Sequence, residues 1–168
     1  CTGFCNLVNG VIYRSGRFGE VGIFSNYTGV NKTGTASLTN FPTNYAELSG
    51  VRASRGNTIV GDWAIAESTP VSFGNLISGG YCGGLILGSS VRNNAFGRVR
   101  AKANLIGTDA TGTFAIPNNV AGSENCGEGG VSLSNFFGDL ELGGTLDQEK
   151  NVVAGNFGNG LTVTNEAG

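Results

Sequence analysis

Histidine and methionine do not occur in this chain of 168 residues, and only 13 % of its residues carry a charge. Without histidine, mixed Cys/His zinc sites and nucleophile–histidine dyads are excluded. A formal net charge of −2, with no run of lysine or arginine, lacks the electrostatic footprint of a nucleic-acid binder. No apolar run approaches the ~20 residues that a membrane helix requires, so we expect no transmembrane segment.

Glycine is abundant, with 30 residues, whereas proline is scarce, with 3. Low charge combined with many Gly, Asn, Ser and Thr residues is typical of short strands joined by tight turns. The mean hydropathy of +0.02 is too high for a disordered chain. The composition does not shift along the sequence, and the length suits one well-cored domain. We therefore predict a single domain over residues 1–168.

A repeated segment organises the sequence. Residues 104–118 (NLIGTDATGTFAIPN) have an imperfect copy at 27–40, with glycine and threonine at identical spacing. A shorter marker, Asn followed by two aliphatic residues, any residue and Gly, occurs at 6–10, 75–79 and 151–155. Each copy of the long segment reads as a short strand followed by a Gly-Thr corner. The predicted corner residues are Gly29, Thr33, Gly34 and Asn40 in the first copy, and Gly107, Thr111, Gly112 and Asn118 in the second.

Short apolar stretches, nearly all bounded by Gly or Asn, predict the strands. Alternation such as Val131-Ser132-Leu133 indicates one buried face. Hairpin dipeptides are missing, and a chain that bends often without turning straight back predicts a solenoid of parallel strands. Coils of about 20 to 25 residues would give about seven or eight of them. The stretches are 21–24, 58–60, 76–77, 85–87, 105–106, 131–133, 140–142, 152–153 and 161–163.

A family resemblance points the same way. Residues 104–118, followed by GGVSLSN (129–135), LGGT (142–145) and NVVAGN (151–156), resemble the repeat pattern of secreted right-handed parallel β-helix proteins of the pectate-lyase-like superfamily. The resemblance is specific in the second half and weaker over 11–17 and 41–55. It implies an all-β fold, a single-stranded right-handed parallel β-helix. It implies little about function, since this scaffold carries lyases, hydrolases, epimerases, adhesins and phage spikes.

Enzymes of that superfamily use clustered acidic and basic side chains. In this chain the four aspartates fall in four separate segments, so we expect no catalytic cluster, no metal site and no cofactor. The alternative function is a carbohydrate-binding or polysaccharide-degrading domain with a groove at Arg52, Arg55, Asp62 and Trp63. A loop carboxylate beside an aromatic ring explains Asp62 equally simply. The one basic cluster is expected to be a solvated loop face, formed by Arg92, Arg98, Arg100 and Lys102.

The four cysteines lack the paired spacing of a zinc site. Cys82 and Cys126 both lie in Gly-rich turns, which favours a disulfide between them and leaves Cys1 to pair with Cys5. Four reduced side chains are the alternative. Disulfides favour a secreted, oxidising setting.

Two sequons, beginning at Asn26 and Asn31, predict glycan acceptors if the source is a eukaryote.

Solenoids need polar caps on their terminal repeats, and the sequence shows no amphipathic helix at either terminus. We therefore predict a structural subunit or segment of an extracellular fibre or matrix that self-associates head to tail, with glycans as further partners.

Overall fold

The computed structural model describes residues 10–11, 20–38, 49–53, 57–66, 69–72, 74–88, 97–119, 129–134, 136 and 138–164. These residues form short strands and one 3-10 turn at Asp147–Glu149. The strands are β1 (Gly10–Val11), β2 (Glu20–Ile23), β3 (Tyr27–Thr28), β4 (Ser49–Ala53), β5 (Asn57–Val60), β6 (Trp63–Ala66), β7 (Thr69–Ser72), β8 (Leu76–Ile77), β9 (Gly83–Gly88), β10 (Arg98–Ala101), β11 (Leu105–Ile106), β12 (Val131–Ser134), β13 (Asp139–Leu142), β14 (Val152–Val153) and β15 (Leu161–Thr164).

Three parallel sheets are built from strands far apart in sequence. The first sheet has the order β1-β4-β9-β12-β15, the second β2-β5-β10-β13 and the third β3-β8-β11-β14. The chain visits the sheets in rotation, so each circuit adds one strand to each sheet. The prediction of an all-β fold of stacked parallel strands is confirmed, and every predicted apolar stretch overlaps a strand, although 21–24 extends one residue beyond β2.

The predicted coil length was too short. Leu76 pairs with Leu105, 29 residues further on, and Tyr27 pairs with Leu76, 49 residues further on. Loops and one hairpin between successive strands lengthen the coils beyond the expected ~20 to 25 residues. The number of coils stays a prediction.

One hairpin interrupts the parallel pattern, contrary to the expectation that the chain never turns straight back. Strands β6 and β7 pair antiparallel, with Trp63 opposite Ser72 and Ala66 opposite Thr69. The two residues between the strands are Glu67 and Ser68, and they carry none of the Asn-Gly or Asp-Gly signal that marks tight hairpins. The hairpin lies in sequence between β5 of the second sheet and β8 of the third.

The core lies inside the coils. Alternate side chains of the first sheet point inward, as Val131 and Leu133 do at 3 % exposure each. Burial of these aliphatic side chains is worth about 1.5–3 kcal/mol apiece. The inward set comprises Ile23, Val51, Val60, Ile77, Leu85, Leu87, Val99, Ala101, Ile106, Val131 and Leu133.

Candidate functional site

Asparagines at the start of the third-sheet strands stack along the solenoid. The backbone N–H and the Nδ2 of Asn26 both donate to Oδ1 of Asn75, at 3.0 and 3.2 Å. Asn75 donates in the same way to Asn104, at 3.0 and 2.9 Å, and Asn104 donates to Asn151, at 3.0 and 2.9 Å. These four residues form the first asparagine ladder, with one rung per coil.

Each rung of the first ladder also bonds back to the second sheet. The Nδ2 groups of Asn75, Asn104 and Asn151 donate to the carbonyl oxygens of Ile23, Val60 and Ala101, respectively, over 2.7–2.8 Å. Asn75 and Asn104 are 1 % and 0 % exposed. A buried amide with satisfied donors and acceptor is stable, whereas a coil shifted by one residue would leave these groups unpaired. The ladder therefore sets the register between coils.

A second asparagine ladder follows the third sheet. The N–H of Gly80 donates to Oδ1 of Asn118, and the N–H and Nδ2 of Asn118 donate to Oδ1 of Asn156. The Nδ2 groups of Asn118 and Asn156 also donate to the carbonyl oxygens of Ile77 and Ile106. Asparagines thus hold both ends of β8 and β11, the two central strands of the third sheet.

Sequence reasoning missed both ladders, although a signal was present. The marker and the repeated segment were treated as different units, yet Asn26, Asn75, Asn104 and Asn151 occupy equivalent positions. The shared feature is Asn immediately before a two-residue strand. The repeated segment differs from the shorter marker only in the loop that follows the strand.

The loop that follows the short strand has the same hydrogen bonds in both copies of the repeated segment. Asn31 and Asp109 occupy equivalent positions, and each donates its N–H across the loop, to the carbonyl oxygens of Ala36 and Phe114. Oδ1 of Asn31 accepts from the N–H of Thr35, and Oδ1 of Asp109 accepts from the N–H of Thr113, both over 2.9 Å. Local side-chain to backbone bonding of this kind explains Asn or Asp at this position.

The predicted corner glycines lie at turns with positive φ. Gly29 and Gly107 have φ of 72° and 89°, and Gly34 and Gly112 have φ of 67° and 74°, a region that side chains rarely adopt. The hydroxyl groups of Thr33 and Thr111 donate to the side chains of Asn31 and Asp109. Asn118 belongs to the second ladder, and Asn40 lies outside the described residues.

The Asp109 carboxylate is stabilised in its charged form. The backbone N–H of Phe114, the hydroxyl of Thr111 and the N–H of Thr113 hold the pKa of Asp109 below its usual range. Hydrogen bonds to an ionised carboxylate are stronger than those to a neutral amide. The Asp109 loop therefore depends on pH in a way that the Asn31 loop does not.

The two loops, 29–38 and 107–116, pack on each other. The N–H of Ala110 donates to the carbonyl oxygen of Gly34 over 2.9 Å, which joins the loops across the intervening coil. Beneath them Val30, Leu76 and Ile116 form a second buried cluster. The loops therefore cover an apolar face of the third sheet and clamp three coils together.

A charged cluster joins the last two strands of the second sheet. Nζ of Lys102 lies 2.9 Å from an oxygen of Glu141 and 2.9 Å from an oxygen of Glu149. Hydrogen bonds to these carboxylates raise the pKa of Lys102, and the Lys102 ammonium lowers the pKa of Glu141 and of Glu149. Lys102 is thus an ion-pair centre rather than the solvated loop residue expected, while Arg98 and Arg100 lie in β10.

Among the described residues, the outermost strands of the three sheets leave apolar groups uncovered. Strands β13 and β14 end the second and third sheets, and β15 ends the first. Leu161 and Val163 are 52 % and 62 % exposed, although their partners Val131 and Leu133 in the preceding coil are nearly inaccessible. A cavity of about 340 Å³ opens here, lined by Leu85, Ala101, Ile106, Leu142, Val153 and Leu161 among others. We call this surface the open end.

The candidate sugar groove is spread over different elements. Arg52 lies in β4 of the first sheet, whereas Asp62 follows β5 of the second sheet and Trp63 begins the hairpin. Arg55 lies outside the described residues. The proposed groove stays a prediction. Among the described residues, no group of three His, Cys, Asp or Glu side chains could hold a metal ion.

The sequons and cysteines are only partly described. Nδ2 of Asn26 is engaged with the carbonyl of Phe24 and with Asn75, whereas Nδ2 of Asn31 donates to the hydroxyl of Thr35. Cys82 is buried and disulfide-bonded. Cys1, Cys5 and Cys126 lie outside the described residues, so the predicted pairing stays a prediction.

Comparisons with known proteins leave the family open. No protein-family model matches the chain, and neither a curated protein nor a solved structure matches it. In the described part of the chain, no helix has the length and apolarity needed to cross a membrane.

Proposed function

We propose that the protein is a structural subunit or segment of an extracellular or cell-surface fibre or matrix, a rigid rod that stacks head to tail through its open end. The single observation that carries the proposal is the exposed apolar inner surface of the last coil, including Leu161 and Val163. Contiguous apolar surface of this kind marks an association site. The rigidity needed for a rod comes from the two asparagine ladders.

A further coil is the partner that fits this surface best. An added strand would pair with the outer edges of β13, β14 and β15, beside which the described residues place no further strand, and would place aliphatic side chains over the cavity. Strand addition to an exposed sheet edge is a common recognition mode. The same contact already joins β9, β12 and β15 within the chain, where it buries Leu85 and Val131.

The handedness of the coil, the type of β-helix, the location of the protein and its non-enzymatic role are part of the same proposal. We infer a right-handed coil, since parallel crossover connections are overwhelmingly right-handed, and a β-helix of the pectate-lyase-like type. The disulfide of Cys82 supports a secreted location, because disulfides persist in oxidising compartments. A non-enzymatic role agrees with the placement of Arg52 in β4 of the first sheet and of Asp62 after β5 of the second sheet.

Electron microscopy tests the proposed function. The purified chain of residues 1–168 is imaged by negative stain near neutral pH, and light scattering is recorded on the same sample. Unbranched filaments, or a series of oligomers that grows with concentration, are the expected result. Monodisperse monomers at every concentration would overturn the proposal, and binding of acidic polysaccharides would then be tested.

A further inference from the structure

The two sequons lie in different structural settings. In the first, from Asn26 to Thr28, the last two residues form β3, which pairs with β8 of the next coil. The second, from Asn31 to Thr33, lies outside the strands in a turn of loop 29–38, and Thr33 is exposed. Acceptors of N-linked glycans belong to surface loops. Only the second sequon therefore has the setting that this modification requires.

The amide group of Asn26 is fully used in the fold. Its Nδ2 donates two hydrogen bonds, to the carbonyl oxygen of Phe24 over 2.9 Å and to Oδ1 of Asn75 over 3.2 Å. The bond to Asn75 belongs to the first asparagine ladder, where the backbone N–H of Asn26 shares the same acceptor at 3.0 Å. An N-linked glycan replaces one Nδ2 hydrogen with a bulky group. At Asn26 it would remove one of these two bonds.

The amide group of Asn31 has a hydrogen to spare. Among the described residues its Nδ2 donates one bond, to the hydroxyl of Thr35 over 3.2 Å. The loop is held instead through Oδ1, which accepts from the hydroxyl of Thr33 at 3.1 Å and from the N–H of Thr35 at 2.9 Å. A glycosylated asparagine keeps its Oδ1 and one Nδ2 hydrogen. None of these bonds therefore needs to be lost when Asn31 carries a glycan.

The second copy of the loop shows that the nitrogen of this amide is dispensable. Asp109 occupies the position of Asn31 and has no Nδ2, yet its Oδ1 accepts the corresponding bond from the N–H of Thr113 over 2.9 Å. The second copy is not a sequon, because aspartate replaces the asparagine. The loop thus depends on a side-chain oxygen at this position and leaves the Asn31 nitrogen available for modification.

We infer that Asn31, and not Asn26, is the acceptor of an N-linked glycan in the folded protein. This inference rests on the proposed extracellular role, because the modification belongs to secreted chains. In the reaction, Nδ2 of Asn31 bonds to C1 of an oligosaccharide that is supplied as a glycosyl diphosphate. The bond between C1 and the diphosphate oxygen breaks, the diphosphate leaves with the electron pair, and one Nδ2 proton passes to a base of the transferring enzyme.

Mass spectrometry of the secreted chain tests the inference. The chain of residues 1–168 is expressed behind a secretion signal in eukaryotic cells. An amidase then removes the glycans in heavy-oxygen water, which leaves a labelled aspartate at each occupied site. In the secreted, protease-resistant chain, we expect occupancy at Asn31 to exceed that at Asn26 by about tenfold or more, because a glycan on Asn26 costs hydrogen bonds of the fold.

Two variants serve as matched controls. Asn31→Asp copies the Asp109 loop, so we expect it to fold and to lose the glycan. Thr28→Ala destroys the first sequon without changing Asn26, and occupancy at Asn31 should stay at the level of the parent chain. A glycan that persists in Asn31→Asp, or that disappears in Thr28→Ala, would place the modification at Asn26 and overturn the inference.

The remaining outcomes separate this inference from the fibre role. Similar occupancy of both sites in the folded chain overturns the assignment, and so does an unoccupied Asn31 in the secreted or the retained chain. Assembly is judged independently, by light scattering of the secreted chain and of Asn31→Asp. A chain that is glycosylated on Asn31 and stays monomeric at every concentration overturns the fibre role and leaves the assignment of Asn31 in place.

Discussion

Single amide side chains hold the coils in register. Asn104 accepts two hydrogen bonds from Asn75 and donates to the carbonyl oxygen of Val60 and to Asn151, all while 0 % exposed. An aliphatic residue of similar size could fill the same space. It could not satisfy the backbone groups that meet there, which is why an amide is required at this position.

Replacing a central rung should therefore be costly. Asn104→Ala leaves the buried backbone N–H of Asn75 without its acceptor and removes one of the two bonds made by Nδ2 of Asn75 and one of the two accepted by the Val60 carbonyl. We therefore expect a loss of at least about 2 kcal/mol in the free energy of unfolding. Asn57→Ala is the matched control, because Asn57 is exposed and accepts one bond, from the Arg98 N–H. Its loss should stay below about 1 kcal/mol. Urea denaturation of both variants measures the difference, and equal losses would contradict the account.

Asn31 and Asp109 occupy equivalent positions in the two loops, and only Asp109 can carry a charge. The pH dependence of stability therefore tests the role of the Asp109 carboxylate. The native pKa of Asp109 lies below its unfolded value, so its contribution is complete above about pH 5 and is lost as the pH falls through the native pKa. Asp109→Asn copies Asn31, and we expect a stable loop with less acid sensitivity. Asp109→Ala should destabilise the loop at all pH values. Thermal unfolding between about pH 2 and 7 distinguishes the variants; an unchanged acid response in Asp109→Asn would contradict the assignment.

At the scale of elements, the two loop copies differ in their surroundings. Gly34 and Gly112 have similar positive φ values. A Cβ on Gly34 would lie 2.6 Å from Leu76 Cδ2 and 2.7 Å from Ala110 Cβ, whereas a Cβ on Gly112 would meet nothing closer than 3.5 Å. The first loop is wedged between the third sheet and its own copy, and the second is open on its far side.

This difference predicts unequal costs for the same substitution. Gly112→Ala should cost about 1–2 kcal/mol, from the backbone conformation alone. Gly34→Ala should cost about 1–3 kcal/mol more, because the packed loops must also move apart. Chemical denaturation of the two variants provides the comparison. Similar values would show that the loops do not press against each other as the structure indicates.

The ion cluster at Lys102 should make the last coil sensitive to acid. Glu141 and Glu149 have native pKa values below their ordinary ones, so their contribution is present above about pH 4–5 and is lost as the pH falls through the native values. Exchange of the β13 amides should accelerate over that range, and less so in Glu149→Gln. Asp147→Asn, which removes an exposed pair with Lys150, should change little. An equal response in both variants would contradict the role of the cluster.

The sequence predicted the strands better than their connections. Stretches such as 85–87 and 131–133 show their strand character through local alternation, which neighbouring residues determine. Coil length and ladder register depend on residues 29 to 49 positions apart, and irregular loops hide that period. The hairpin β6–β7 was missed because its turn lacks a typical dipeptide. The uncapped ends stay a prediction, whereas the exposure of Leu161 and Val163 required the structure.

At the scale of the whole molecule, the described strands form three parallel sheets that two asparagine ladders join, and β15 leaves Leu161 and Val163 exposed. Internal contacts between coils and the proposed contact between copies would then be chemically alike. Rod length would be set by association rather than by the chain alone. Charge placed on the inner side of β15 should block this association, whereas charge on its outer side should not.

The measurement that tests stacking through the open end most directly compares Val163→Lys with Thr164→Lys by light scattering across a concentration series. Val163 continues the inner row of Leu133, while the hydroxyl of Thr164 contacts that of Ser134 on the other face of the same strand. The account predicts that Val163→Lys stays monomeric with an unchanged fold by circular dichroism, and that Thr164→Lys assembles like the parent chain. Assembly of both variants, or of neither, would contradict stacking through the open end.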